Sequence, residues 1–380
     1  MTLLFYYCPT RQITRPDLKH ALFFYNTGGK YQIYGYPYEK HLVQTEDGYI
    51  LSLIRFPRRT SDKLPVLIVH GFMACSTSWV AMGPEGSLAF ILADEGYDVW
   101  MGNFRGNRYS RNHVCKSVED KEFWDFCWDD MGKKDVTAMI DHVLDVTCWP
   151  KLFHVGHSMG TTTFYVTASC VPEYNQKVFA HFSLAPVAFM KHCKSPIRYF
   201  TYWEPFLQVF TQLKISYTSH NCVVPGNVEL LKYLNIPNPN MYNSHFQSLI
   251  PVFLGHTPAG SSVKVMNHYA QEIDSGHFRQ FDYHSPKQNL RHYNSVTPPK
   301  YDLNQITVPI SLLAKGLPNV INMQLVDDPM WNHIDFTWGI EAPQLVYENV
   351  ISIMKNITMH AAILTVTSRE KENKTLDLFE

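Results

Sequence analysis

Short apolar runs of strand length alternate with segments of helical pattern over most of the first half of the chain. The strand-like runs begin at residue 34 and include YILSLIRF, PVLIVHG, YDVWMGN, LFHVGHS and VFAHFSLAPVAF. The helical patterns between them are SLAFILADEG, VTAMIDHVLDV and TTTFYVTAS. Runs that are apolar throughout are typical of strands buried on both faces of a parallel sheet. The alternation therefore predicts an α/β protein with a mostly parallel central sheet covered by helices.

The alternation is interrupted once and then resumes. Residues 191–258 are rich in aromatic residues, proline and asparagine without strand alternation, which predicts a helical cap or lid inserted into the core. Strand patterns return in ITVPISLL and VINMQLV, and APQLVYENVISIMKNI predicts a final helix. We therefore expect a core formed by residues 34–190 and 259–367, a poorly matching segment at 1–33 and a polar tail at 368–380.

The bulk composition and the missing motifs exclude several classes of function. Lys and Arg number 33 against 34 Asp and Glu, so no basic field exists to hold nucleic acid. No apolar run approaches the ~18 residues that cross a bilayer, and the opening residues do not form a visible signal peptide. CxxC, GxxxxGK and GxGxxG are absent, and His154 and His157 straddle a strand and a turn, so their nitrogens face different ways. We expect no cofactor and no metal, and the oligomeric state stays open.

The pentapeptide GHSMG, residues 156–160, is the strongest sign of chemistry. It directly follows the strand pattern LFHV and precedes the helix pattern TTTFYVTAS, which is the setting of a nucleophile elbow. Gly156 and Gly160 would relieve the crowding in this tight turn, where His157 precedes a strained Ser158 with a raised hydroxyl. The alternative is a chance match with a helix-capping serine. We predict Ser158 as the nucleophile.

Acyl transfer at such a serine also requires N–H groups aimed at the developing oxyanion. One donor comes from the residue after the nucleophile, here Met159, and the other from a loop after an earlier strand. His70 and Gly71 end the strand pattern in PVLIVHGF, so the amide of Phe72 is the second predicted donor. The alternative for His70 and Phe72 is plain packing at a strand end.

The general base should be a late histidine, because the serine, the acid and the histidine follow in that order in this kind of site. His333 in PMWNHIDFTWG follows the last strand pattern and precedes the last helix pattern. This position places it on a loop at the C-terminal end of a strand. His360 is the only later histidine and falls beyond the final helix pattern, so His333 is the predicted base.

The chain resembles the acid lipase family of α/β-hydrolases, which includes gastric and lysosomal lipases and their insect relatives. The resemblance covers most of the chain, in YGYPYEKHLVQTEDGYIL, HGFMACSTSWV, SLAFILADEGYDVWMGNFRGNRYSRNH, EFWDFCWDDMGKKDVTAMIDHV, GHSMGTT, LAPVAF, HTPAGSSVKVMNHYAQ, FDYHSPKQNLRHYN and WNHIDFTWG. It implies an α/β-hydrolase fold with a lid over a pocket that opens at a lipid–water interface. It also implies hydrolysis of ester bonds in neutral lipids, either triacylglycerols or sterol esters.

Carried over to this sequence, the resemblance implies Ser158 as nucleophile, His333 as base and the Phe72 and Met159 amides as the oxyanion hole. It also implies a secreted or lysosomal protein. Two glycosylation sequons, NIT at residue 356 and NKT at residue 373, agree with a secretory route.

One expected element is missing. In the resembled family, the strand equivalent to ITVPISLL is followed by a loop with the triad aspartate, a helix and the next strand. Here only AKGLPN separates Leu313 from Val320, and no aspartate lies between Asp302 and Asp327. Adjacent parallel strands need a crossover of about a dozen residues or more. Either one segment is not a strand of the parallel sheet, or the two pair antiparallel, or a crossover has been lost, and the resemblance favours the loss.

Loss of the aspartate deprives His333 of the carboxylate that fixes its tautomer and stabilises its charged form, so turnover should fall by on the order of 10⁴. Asp327 and Asp328 could substitute, although a turn with Pro329 is the favoured explanation for them. Asp335 is expected to help shape the loop. We therefore expect an impaired serine hydrolase that works through an acyl-enzyme. The alternatives are an inactive lipid-binding protein and an esterase or acyltransferase for soluble substrates.

Overall fold

The computed structural model describes residues 31–58, 61–193, 256–312, 320–323, 326–328 and 331–360, together with residues 198, 202 and 216–217. Most of the expected cap at 191–258, nearly all of the segment 1–33 and the whole tail at 368–380 lie outside the described residues. The described residues therefore belong mainly to the expected core.

The strands and helices follow one another much as the sequence patterns predict. The strands are β1 (Tyr31–Ile33), β2 (Tyr36–Gln44), β3 (Tyr49–Phe56), β4 (Val66–Val69), β5 (Val99–Gly102), β6 (Asn112–His113), β7 (Leu152–His157), β8 (Val178–Leu184), β9 (Ser216–Tyr217), β10 (Ser261–Ser262), β11 (Ile310–Leu312) and β12 (Val320–Met323). The helices are α1 (Leu88–Asp94), α2 (Trp128–Asp130), α3 (Thr137–Thr147), α4 (Met159–Cys170), α5 (Val263–Ser275), α6 (Pro286–Tyr293), α7 (Asp335–Trp338) and α8 (residues 348–360). Two π-helical segments, Met131–Val136 and Pro343–Tyr347, lead into α3 and α8, and 3₁₀ turns lie at Ser76–Trp79, Lys121–Trp124, Pro172–Gln176 and Leu303–Gln305.

Ten of the twelve described strands form one large sheet in the order β1-β2-β3-β5-β4-β7-β8-β11-β12, with β6 added to β3, and β9 pairs antiparallel with β10 in a separate sheet. Strands β5, β4, β7, β8, β11 and β12 run parallel to one another, whereas β1 and β2, β2 and β3, and β3 and β5 pair antiparallel. The prediction of an α/β fold with a mostly parallel central sheet is therefore confirmed.

Alternate residues of the central strand β4 explain why helices cover both faces of the sheet. All four residues of β4 are buried. Leu67 and Val69 belong to a core with side chains of α3 and α4, whereas Val66 and Ile68 belong to a second core with α1 and α8. Side chains of a strand point alternately to opposite faces, so a run that is apolar at every position requires apolar partners on both sides.

Helix α5 shows how local sequence sets the bounds of a helix. The side chain of Ser262 accepts a hydrogen bond from the amide of Lys264, so Ser262 acts as the N-cap. Gly276 ends the helix in the left-handed conformation, with φ of 68°, which glycine adopts without a steric penalty. The helix therefore begins and ends at residues that suit those positions.

The pairing of β11 with β12 corrects one expectation from the sequence. The two strands are parallel, with Ile310 opposite Val320 and Leu312 opposite Met323, so antiparallel pairing and a place outside the parallel sheet are both wrong. Only residues 313–319 connect them. The expectation that so short a link excludes parallel pairing was also wrong. The strands are three and four residues long, so the chain returns over only ~10 Å, within reach of a link of this length.

No helix in the described part of the chain is both long and apolar enough to cross a membrane.

Candidate active site

Ser158 sits at the turn between β7 and α4, and its backbone is strained. Its φ and ψ are 53° and −116°, a region that residues other than glycine rarely occupy. Such strain costs of the order of 1–3 kcal/mol and persists only where neighbouring contacts hold it. Here the Ser158 amide donates to the Leu184 carbonyl at 3.0 Å, and the Ser158 carbonyl accepts from the Thr161 amide at 2.9 Å. This is the conformation expected of a nucleophile elbow.

The glycines around Ser158 are required by close backbone contacts. A Cβ atom at Gly156 would lie 2.6 Å from the backbone of Gly160, and one at Gly160 would lie 2.5 Å from the carbonyl oxygen of Val69. A Cβ at Gly71 would lie 3.0 Å from both Ser158 Cβ and His157 Nδ1. Glycine at these three positions lets the turn and the loop after β4 pack closely together.

His333 meets Ser158 as the sequence predicts. Nε2 of His333 lies 2.7 Å from Oγ of Ser158, so a neutral ring can accept the hydroxyl proton. The pKa of His333 is lowered below its usual value because neighbouring protein atoms shield the ring from water. Other parts of the residue are exposed to solvent. The neutral form, which is the form a general base needs, therefore predominates near neutral pH.

The loop that carries His333 is held by its own polar residues. The amide of Asn332 donates to Oδ2 of Asp335 at 2.8 Å, and the amide of Ile334 donates to Oδ1 of Asn332 at 3.0 Å. Asp335 is buried, and burial raises the pKa of its carboxyl group. Asp335 thus shapes the loop on either side of His333, as expected, without contacting the imidazole.

The ring of His333 has no carboxylate partner among the described residues. No ion pair of the described chain includes it, and no neighbouring charge raises its pKa. Asp327 is exposed, and the backbone carbonyl of Asp328 accepts the Trp331 amide at 3.1 Å, as in a turn. Among the described residues, the ring of His333 makes no hydrogen bond or ion pair with either aspartate.

The predicted oxyanion donors are the amides of Met159, directly after the nucleophile, and of Phe72, in the loop after β4. Met159 is the first residue of α4, so its amide has no acceptor within the helix. Phe72 follows Gly71 in the loop after β4. Next to it, the carbonyl of Met73 accepts the amide of Ala259 at 2.6 Å, which ties this loop to the chain that follows the expected cap.

His70 controls the peptide that contains the Phe72 amide. Its Nδ1 lies 2.8 Å from the carbonyl oxygen of Gly71 and donates to it. The carbonyl of Gly71 and the N–H of Phe72 belong to one planar trans peptide and point in opposite directions, so fixing the first fixes the second. Nε2 of His70 accepts from the Phe104 amide at 3.3 Å and from Nδ2 of Asn107 at 3.0 Å. Burial lowers the pKa of His70 to about 4, so this arrangement stays neutral near neutral pH.

Sequence reasoning missed Asn103 and Asn107. Both lie in GNFRGN, for whose asparagines no role was predicted. Asn107 donates to Oδ1 of Asn103, and Nδ2 of Asn103 donates to the carbonyl of Ser52 at 3.0 Å. The available signal was an asparagine directly after an apolar strand pattern and a second one four residues later, because amides that become buried require partners.

The comparisons with known proteins agree with this geometry. Residues 65–205 match the family model of the alpha/beta hydrolase fold, and residues 29–83 match the partial alpha/beta-hydrolase lipase region. A solved structure of a proposed lipase from Sulfolobus solfataricus has a TM-score of 0.54 at 13% identity, covering 84% of this chain and 94% of that chain. The fold and the elbow define a protein of the α/β-hydrolase class.

Several curated relatives narrow that class. Lipase member K of Mus musculus is 36% identical over 85% of this chain and 89% of its own length. Gastric triacylglycerol lipase of Rattus norvegicus is 37% identical over 84% and 89%, and Lipase 1 of Drosophila melanogaster is 37% identical over 85% and 78%. The chain belongs to the acid lipase family of α/β-hydrolases, and the resemblance seen in its motifs is confirmed. It is an enzyme of the lipase, or carboxylic ester hydrolase, class.

Proposed function

We propose that this protein hydrolyses ester bonds of neutral lipids through an acyl-enzyme on Ser158. The observation that carries the proposal is the 2.7 Å contact between Ser158 Oγ and His333 Nε2 at a strained elbow. Oγ attacks the ester carbonyl carbon while its proton passes to Nε2, and the amides of Phe72 and Met159 stabilise the oxyanion. The tetrahedral intermediate then collapses: the bond to the alcohol oxygen breaks, and His333 returns the proton to that oxygen.

Water completes the cycle by the same route. His333 takes a proton from a water molecule that attacks the acyl carbon, and it then protonates Oγ of Ser158 as the carboxylic acid leaves. Each step moves one proton through Nε2, so no redox or group-carrying cofactor is needed.

The proposed substrate class is triacylglycerols or sterol esters at a lipid–water interface. Support comes from the relatives, since one is named a gastric triacylglycerol lipase. Residues 191–258 would supply the cap or lid. A secreted or lysosomal location is part of this proposal, and so is glycosylation at Asn356 and Asn373. Asn356 is exposed on α8, where a glycan would not disturb the core.

Catalysis should be impaired relative to a lipase with a complete triad, because a crossover with the acid has been lost between β11 and β12. Two observations support the loss. His333 has no carboxylate partner among the described residues. Ile321 and Met323 of the edge strand β12 are 47% and 52% exposed, whereas strands of parallel sheets are usually covered by the helices of their crossovers.

The same missing carboxylate favours a second candidate, a lipid-binding protein without turnover. A third candidate is an esterase or acyltransferase for soluble substrates, which no observation among the described residues specifically favours. The rate on a short-chain ester separates the first two, with the Ser158→Ala variant as blank. A jump in rate when the substrate forms an emulsion separates a lipase from the third.

A fluorophosphonate probe tests the nucleophile directly. The probe forms a bond to an activated serine, so the wild-type protein should be labelled and Ser158→Ala should not. Equal labelling of both proteins would remove Ser158 from the mechanism.

A further inference from the structure

His157, the residue directly before the nucleophile, contacts the main chain of the predicted base. Its Nε2 lies 2.9 Å from the backbone carbonyl oxygen of His333. A carbonyl can only accept, so Nε2 of His157 carries the proton and donates it. The centres of the two imidazole rings are 5.1 Å apart. His333 is therefore hydrogen-bonded through its ring to Ser158 and through its backbone carbonyl to His157.

The carboxylate of a complete triad has two separable tasks. It holds the imidazole in the correct orientation, and it stabilises the positive charge that forms on the ring. In the described residues no carboxylate performs either task for His333. A contact that fixes the backbone of His333 can take over part of the first task, although it contributes nothing to the second.

We propose that His157 is a positioning residue, whose hydrogen bond to the His333 carbonyl holds the base in place beside Ser158 without a triad carboxylate. Two contacts from consecutive residues, one to the ring and one to the main chain of His333, restrict both its distance and its rotation. The proposal rests on the proposed function of Ser158 and His333 and adds the residue that aligns them.

The surroundings of His157 suit this role because they immobilise its ring. The residue ends the buried strand β7 and is only 8% exposed. Its Nδ1 packs against Gly71, where a Cβ atom would lie 3.0 Å away. Its ring lies edge-on to Trp79, with the ring centres 6.4 Å apart. A donor ring held by these contacts gives its acceptor a fixed position.

A matched pair of variants tests the proposal. Glutamine can place a donor near the position of Nε2, whereas methionine has similar length and no donor. A base displaced by about 1 Å can cost on the order of 10²-fold in rate, so His157→Met should lose about that much in kcat with KM nearly unchanged. His157→Gln should recover most of the loss. The kcat assay uses a short-chain ester as substrate. The midpoint of thermal unfolding, measured for both variants, shows whether they fold equally well.

The outcomes separate this inference from the proposed function. Wild-type turnover no higher than that of Ser158→Ala would end the proposed function. Among folded proteins, His157→Met with wild-type kcat, or His157→Gln as slow as His157→Met, would overturn the positioning role.

Two further measurements apply even if turnover is absent or a variant does not fold. Hydrogen exchange of the amides in residues 331–338 should be faster in His157→Met than in the wild type and in His157→Gln, and equal exchange in all three would contradict the inference. In the wild-type protein alone, nitrogen-15 spectra of the histidines should show the proton of His157 on Nε2. A proton on Nδ1 would refute the bond itself.

Discussion

Nδ2 of Asn107 lies 3.0 Å from Nε2 of His70, and this contact, together with the Phe104 amide that donates to the same nitrogen, fixes which ring nitrogen of His70 carries the proton. An amide NH₂ only donates, so Nε2 accepts and the proton stays on Nδ1, facing the carbonyl of Gly71. The orientation of the amide is itself fixed, because Oδ1 of Asn107 accepts the backbone amide of Tyr109 at 2.9 Å. Asn107 is thus connected to the Phe72 amide through two hydrogen bonds and one rigid peptide.

Asn107→Asp should reverse this arrangement. A carboxylate only accepts, so it favours a proton on Nε2, in competition with the Phe104 amide that donates there. In the molecules that take this tautomer, Nδ1 presents a lone pair to the Gly71 carbonyl. Loss of one oxyanion donor costs about 10²–10³-fold in turnover, and misdirection of the Phe72 amide, a proposed donor, should approach the lower figure. We expect kcat on a short-chain ester to fall by up to about 10²-fold with little change in KM.

Asn107→Ala is the control for that substitution. It removes the donor without placing an acceptor beside Nε2, so the loss in kcat should be smaller. A folded Asn107→Asp protein with wild-type kcat, or one that is faster than Asn107→Ala, would contradict the role of the His70 tautomer.

A second prediction concerns stability at acid pH. Nδ1 of His154 in β7 lies 2.9 Å from Nδ1 of His181 in β8, and both rings are buried against Phe164. Burial lowers the pKa of His154 to about 3, and burial with the neighbouring imidazole lowers the pKa of His181 well below its usual value. Two neutral rings can share one hydrogen bond, whereas two protonated rings would repel each other in the core.

Because the pKa values of both histidines are lowered in the folded protein, its free energy of unfolding should decrease at acid pH. Below pH ~6.5 the unfolded chain takes up protons at both positions while the folded protein does not, so the free energy of unfolding falls as pH falls. The stabilisation is fully present above that pH. Each histidine contributes a slope of at most about 1.4 kcal/mol per pH unit.

His181→Asn isolates one of the two slopes, because asparagine does not titrate and its amide can still donate to His154. Denaturant unfolding between pH 7 and 4 should show a shallower dependence on pH in the variant, whatever its absolute stability. Buried carboxyl groups with raised pKa values, such as that of Glu272, act in the opposite direction but are common to both proteins. Parallel curves for the two proteins would show that His181 is not neutral in the fold.

The sequence predicts those parts of the site that are encoded by neighbouring residues. GHSMG between a strand and a helix places Ser158, and a late histidine between the last strand and helix places His333, because order along the chain decides both positions. The partners of His157 and Asn107 are not predictable in this way. His157 bonds to a residue 176 positions later, and Asn107 bonds to one 37 positions earlier, so only the folded chain brings them together.

The pairing of β11 with β12 was mispredicted for a different reason. The rule on crossover length assumes strands of ordinary length with a helix between them, and it does not hold for strands of three and four residues. The exposure of Ile321 and Met323 is visible only in the structure, because the pattern VINMQLV predicts a strand without showing which of its residues are covered.

If a crossover with the triad acid has been lost, as proposed above, inserting such a crossover should raise turnover. In a chimera, residues 313–319 are replaced by the loop, helix and adjoining residues that link the equivalent strands of the rat gastric triacylglycerol lipase. If the inserted loop places its aspartate beside Nδ1 of His333, kcat on a short-chain ester should rise by on the order of 10⁴, the cost of losing that acid in serine hydrolases. The inserted helix should also cover Ile321 and Met323, so binding of a hydrophobic dye should decrease.

The control is the same chimera with asparagine in place of the loop aspartate, which should show the decrease in dye binding without the rise in kcat. An equal rise in both chimeras would mean that the helix, and not the carboxylate, is what this enzyme lacks.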